Sequence, residues 1–116
     1  MASVNHPSTV TAPNGDTFLI RPKTPALISE AVNALAKRGI KVSAVNPTLQ
    51  EVLALRAEQA KLVTVEWKPA GSEAAASPKE IEQLFQTSEG AARFVERESD
   101  RLAKEADAAW GVEEGN

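Results

Sequence analysis

Three times in this chain a small polar residue stands directly before a proline: Thr24-Pro25, Asn46-Pro47 and Ser77-Pro78. Each pair can open a helix, and none can lie inside one. The side-chain oxygen accepts one of the free N–H groups of the first turn, and proline at the first helical position gives up no hydrogen bond. In a helix interior the same proline costs about 3 kcal/mol. The chain is therefore cut into a leading segment and three helical stretches, and no helix runs across these points.

The leading segment reads as a hairpin. Ser8 to Ala12 is rich in β-formers, Pro13-Asn14-Gly15-Asp16 is a turn, and Thr17 to Arg21 is the returning strand. Asn and Gly tolerate positive φ, and Pro pre-sets the bend before them. Phe18 and Ile20 share one face of that strand, which is expected to pack on the helices.

After Thr24-Pro25, the apolar positions Leu27, Ile28, Ala31 and Leu35 follow helical spacing, and Lys37 and Arg38 favour the last turn. Gly39 is the expected left-handed stop. Ile40 to Val45 reads as either a brief strand or an extended linker. A second helix is predicted from Pro47 to about Lys68, with Leu49, Val52, Leu53, Ala60, Val63 and Trp67 as its stripe. Leu55 and Leu62 lie off that stripe, one heptad apart. A helix apolar on two sides is buried on both or offers one to a partner. Pro69 to Ala76 is a low-complexity loop. Ser77-Pro78-Lys79-Glu80 is a capping box and begins a short helix with Ile81, Leu84 and Phe85. Thr87 to Gly90 breaks it. The last helix is predicted from Glu89 to about Trp110, with Ala91, Val95, Leu102, Ala106 and Ala109 in line and Ser99 interrupting them. Trp110 either closes the core or protrudes as an interface anchor.

Composition sets the scale of the core. The chain has 116 residues; 20 of its 49 hydrophobic residues are Ala, and Leu, Ile, Val and Phe number only 26. One small Ala-rich core is expected, in one domain. The predicted organisation is a flexible arm over 1–7, a single domain over 8–110 and a polar tail over 111–116. The fold class is mainly α (α+β): an N-terminal β-hairpin followed by about four helices in a small bundle.

Several chemistries lack their residues. There is no cysteine and one histidine, His6, in the leading arm. A metal cluster or a Ser-His-Asp arrangement would need His6 held in place, and no Gly-rich phosphate loop is present. Neither catalytic, cofactor-binding nor metal-ligating residues are predicted, and an enzyme is not expected. No apolar run approaches the ~20 residues of a membrane span, and the first eleven residues carry no secretory signal. The net charge is −3, with a pI near 5.2. Residues 1–58 carry six Lys/Arg and four Asp/Glu, residues 59–116 seven and twelve. Arg93, Arg97, Arg101 and Lys104 are interleaved with Glu89, Glu96, Glu98 and Asp100, as on a solvated face. Nucleic acid is not an expected partner.

The order of these signals resembles small tailed-phage and prophage proteins known as tail assembly chaperones. The similarity lies in Phe18-Leu19-Ile20-Arg21-Pro22 closing a short strand, Leu62-Val63-Thr64-Val65-Glu66-Trp67 after an Ala-rich helix, Ser77 to Phe85 as a Ser-capped segment, and a long polar last helix. It covers about residues 16–110. Many relatives have Gly before the Trp, where this chain has Glu66, and their following loop is richer in Gly and Asp. The resemblance implies a non-enzymatic assembly role in the host bacterial cytoplasm. Its partners would be the tape-measure protein, the helical ruler of the tail, and tail-tube subunits. A bound helix is recognised through anchors at i, i+3/i+4 and i+7. Leu55, Leu62 and Trp67, with Trp110, are the partner-binding candidates. The alternatives are a virion structural protein, such as a minor tail or connector component, and a small regulatory binding module. Self-association is left open.

Overall fold

The computed structural model describes residues 6–111. Most of the predicted arm and tail lies outside them. The order is β1 (Ser8–Thr11), β2 (Thr17–Ile20), α1 (Pro25–Lys37), α2 (Leu49–Val63), β3 (Thr64–Lys68), α3 (Pro78–Thr87) and α4 (Glu89–Ala108). The strands form one antiparallel sheet in the order β1-β2-β3. The expected α+β class holds, with four helices and a hairpin that has gained a third strand.

The hairpin turn shows why Gly15 is there. The Gly15 N–H donates to Ala12 O at 2.9 Å and the Ala12 N–H to Asp16 O at 2.8 Å. Gly15 sits at φ 95°. This is a three-residue loop closed by a glycine bulge, a geometry whose twist matches paired strands. A Cβ on Gly15 would also come within 3.2 Å of Ala70 Cβ.

Helix α1 starts as predicted. Thr24 Oγ1 accepts from the Leu27 N–H at 3.2 Å, Pro25 is the first helical residue, and Gly39 lies just past the end at φ 85°. Residues 40–48 are a linker, not a strand. Helix α2 departs from expectation at both ends. Its cap is Thr48, not Asn46: Thr48 accepts from the Glu51 N–H while Glu51 returns to the Thr48 N–H. That reciprocal pair satisfies two free donors where Asn46 would satisfy one.

The other end is the larger correction. The predicted helix to Lys68 stops at Val63, and Thr64–Lys68 is a strand. Two causes act together. Val63, Thr64 and Val65 are β-branched, which restricts χ1 in helices and suits a pleated surface. Strand β2 also has a second edge to satisfy: Thr17 pairs with Lys68, Phe18 with Trp67 and Leu19 with Glu66. The Arg21 N–H donates to Val63 O at 2.9 Å, and Thr64 Oγ1 donates to Ala60 O at 2.7 Å. Helix passes into strand with no loop between. The register shifts after Leu19, leaving Val65 as a bulge.

The core lies between one sheet face and α2, α3 and α4. Val10, Phe18, Ile20, Ala60, Val63, Ile81, Phe85, Ala92, Val95 and Leu102 form one buried cluster. Phe18 is its centre, with ring centroids 6.3 Å from Trp67, 6.3 Å from Phe85 and 5.9 Å from Phe94. Ala31 and Leu35 of α1 are buried beside α2. On α4 the buried line is Ala92, Val95, Ser99, Leu102 and Ala106. The predicted Ala91 is half-buried and Ala109 is exposed. Ser99 belongs to this line because its hydroxyl donates to Arg21 O at 2.7 Å. It thereby satisfies the carbonyl just past β2 that a methyl group would leave unpaired.

Candidate interaction surface

The four candidate anchors fall into three environments. Trp67 is half-buried in β3, across the sheet from Phe18, with the two rings nearly parallel. Its indole N–H donates to Asp16 Oδ2 at 3.0 Å. Asp16 Oδ1 accepts from the Ala70 N–H at 2.7 Å. One carboxylate in the hairpin turn thus fixes both the Trp67 ring and the start of the following loop. Sequence periodicity did not single out Asp16. Its only local signal is the turn motif, because the contact spans 51 residues.

Leu55 and Leu62 are both half-buried. They lie three residues before and four after Glu58, hence on the same side of α2. The Glu58 carboxylate is buried and pairs with Arg38 beyond the end of α1, and with Lys61 at 3.0 Å. No residue from Glu51 to Thr64 is fully exposed. Helix α2 therefore runs among α1, α3 and α4, and its two apolar sides are the two sides of a central helix.

Trp110 differs from the other three. It follows the end of α4, is 80% exposed, and has only backbone hydrogen bonding, its N–H donating to Asp107 O at 3.0 Å. Of the two predicted roles, core closure does not occur. Three further exposed apolar residues lie in or beside the linker before α2: Ile40 at 36%, Val45 at 94% and Leu49 at 73%. Leu49 was expected on the buried stripe. It stands at the first position of a helix whose packing begins a turn later.

Two shallow grooves flank the α2–α3 contact. One, about 180 Å³, is lined by Leu35, Ile40, Ala54 and Ala57 with Arg38 and Glu82 at the rim. The other, about 330 Å³, is lined by Leu53, Ala57, Phe85 and Ala92 with Arg56 and Glu89. Their rim charges are already engaged: Arg56 pairs with Glu89 at 3.2 Å and Glu96 at 2.9 Å. Lys23 reaches Glu96 at 3.5 Å and Asp100 at 3.1 Å. This network ties the segment after β2, α2 and α4 together on the surface.

Among the described residues, no group of three or more His, Cys, Asp or Glu is placed to hold a metal ion. Among them too, no helix is long and apolar enough to cross a membrane. The carboxylate with a clear shift is Glu80. The Ser77 backbone N–H, which the carboxylate accepts from in the capping box, and secondarily the Ser77 side chain hold it below the ordinary glutamate range. That is helix-start chemistry.

The class defined by this geometry is a small α+β domain: a three-stranded antiparallel sheet backed by helices, with a central helix that continues directly into the third strand. No protein-family model, curated protein or solved structure matches the chain.

Proposed function

We propose that this chain is a non-enzymatic tail assembly chaperone of a tailed phage or prophage, acting on the tape-measure protein and tail-tube subunits in the host cytoplasm. The observation that carries this is the ordered motif set over residues 16–110. Each motif coincides with one structural step: Phe18 to Pro22 closes β2, Leu62 to Trp67 is the helix-to-strand passage, and Ser77 to Phe85 is the capped α3. A binding role also accords with large exposed apolar side chains at Val45, Leu49 and Trp110. Of the four candidate anchors, Trp110 exposes the most side chain. Leu55, Leu62 and Trp67 are half-buried and offer a partner only part of theirs.

The test is co-expression of the chain with the long helical protein encoded beside it, followed by affinity capture and a solubility assay. A chaperone keeps that protein soluble and co-purifies with it, yet is absent from finished particles by mass spectrometry. Fixed-copy presence in particles would make it a virion structural protein. Capture of neither tape-measure nor tube protein would overturn the assignment.

A further inference from the structure

The two edges of the sheet are treated differently. On β3 the edge is guarded. The Val65 bulge breaks its register, Glu66 and Lys68 add charge, and Trp67 O already accepts from the Ala76 N–H at 2.8 Å. Strand β1 carries no bulge, no proline and no charge from Ser8 to Ala12.

The hydrogen-bond alternation shows what the β1 edge offers. Ala12 and Asp16 are a bonded pair. Counting back along an antiparallel ladder, Val10–Phe18 and Ser8–Ile20 are bonded pairs, while Thr9–Leu19 and Thr11–Thr17 are not. The Arg21 bond to Val63 and the Ala76 bond to Trp67 obey the same alternation across β2 and β3. The N–H and C=O groups of Thr9 and Thr11 therefore point away from the sheet. Both residues are exposed, and among the described residues nothing pairs with them.

We propose that this edge pairs with the β1 edge of a second copy, antiparallel about a two-fold axis at Val10, to make a continuous six-stranded sheet. The register is set by the prolines. With Val10 opposite Val10, Thr9 of each copy faces Thr11 of the other, and all four outward N–H groups meet four outward carbonyls. Sliding by two residues either way brings Pro7 or Pro13 opposite a threonine and leaves a carbonyl without a donor. Side chains agree with the backbone. The facing pairs are Thr–Thr on the outer face and Val–Val on the core face, so an identical copy meets no like charge there. A strand of four residues gives an interface smaller than the ~1,000 Å² of stable complexes, so the dimer forms at high protein concentration. This association is independent of the tail-assembly proposal and is measured on the purified chain alone.

The test is sedimentation velocity over a micromolar-to-millimolar series. The wild type moves from monomer toward dimer with concentration. T9K/T11K places Lys opposite Lys twice and weakens association by about tenfold or more, whereas T9K/T11E places Lys opposite Glu and keeps it. These side chains are exposed, so all three proteins retain the same circular dichroism and melting point. Amide exchange adds a second readout: Thr9 and Thr11 become protected only as concentration rises. A wild type that stays monomeric throughout overturns the proposal, and so does equal association by T9K/T11K. Protection of both amides at high dilution overturns it too, because the edge is then covered within one chain.

Discussion

Replacing Phe18 by Ala tests the core most severely. Phe18 is 2% exposed, and its ring lies within 6.3 Å of the Trp67, Phe85 and Phe94 rings. Truncating a fully buried Phe costs about 3–5 kcal/mol, from lost transfer energy and from the cavity left behind. The upper end applies here. Three aromatic neighbours lose their partner together, each such pair adding about 0.5–1.5 kcal/mol beyond area. Those neighbours come from β3, α3 and α4, so no single element can move in to fill the space. A domain of this length has about 6–17 kcal/mol of total stability, so Phe18→Ala is expected to fold but to melt some 12–20 °C lower. Phe18→Leu keeps most of the volume but loses the same three ring pairs, so it should cost about 2–4 kcal/mol. The assay is urea unfolding followed by circular dichroism at constant m-value. A loss below about 1 kcal/mol for Phe18→Ala would refute the placement of this ring at the centre of the core.

Asp16→Ala removes the acceptor for both the Trp67 indole and the Ala70 N–H. A cost of about 1–3 kcal/mol is expected by denaturant titration, with a shifted Trp67 emission in a Trp110→Phe background. Trp110→Ala should change stability by less than about 0.5 kcal/mol, and iodide should quench Trp110 far more than Trp67. Ser77→Ala removes the α3 cap and should cost about 1 kcal/mol in the same titration. Glu80 has a depressed folded-state pKa, so its contribution is present above the ordinary glutamate value and is lost as pH falls through the folded one. The start of α3 should therefore loosen on acidification below the ordinary glutamate value, seen as a falling protection factor at the Ser77 amide that donates to this carboxylate, and Glu80→Gln should flatten that dependence.

Local signals read true where one residue's chemistry decides one turn. Asn14-Gly15, Thr24-Pro25 and Ser77-Pro78 each fixed an element boundary, because turn geometry and capping act within four residues. Boundaries decided by distant partners were not legible. The passage from α2 to β3 depends on β2 presenting an unpaired edge some 45 residues earlier in the chain. Ala60, Val63 and Trp67 also satisfy helical spacing whether or not the helix continues. Ser99 shows the same limit from the other side. In sequence it breaks an apolar line, whereas in the fold it completes one by bonding to Arg21 O. The candidate anchors divide on this ground. Periodicity marked Leu55 and Leu62 as surplus because it cannot show that a central helix needs apolar residues on more than one side.

Exposure then narrows where a partner can act. If Trp67 were the binding anchor and inserted its whole ring into a partner, binding would have to unstack it from Phe18. That would draw on the same few kcal/mol that Phe18→Ala removes, and binding would tighten in destabilised variants. If Trp110 and the linker residues Val45 and Leu49 carry the contact, affinity is indifferent to core stability. Measuring partner affinity for Phe18→Leu beside Trp110→Ala separates the two. Tighter binding by Phe18→Leu points to an opened domain. Binding lost only in Trp110→Ala points to the intact surface, the outcome favoured by its 80% exposure.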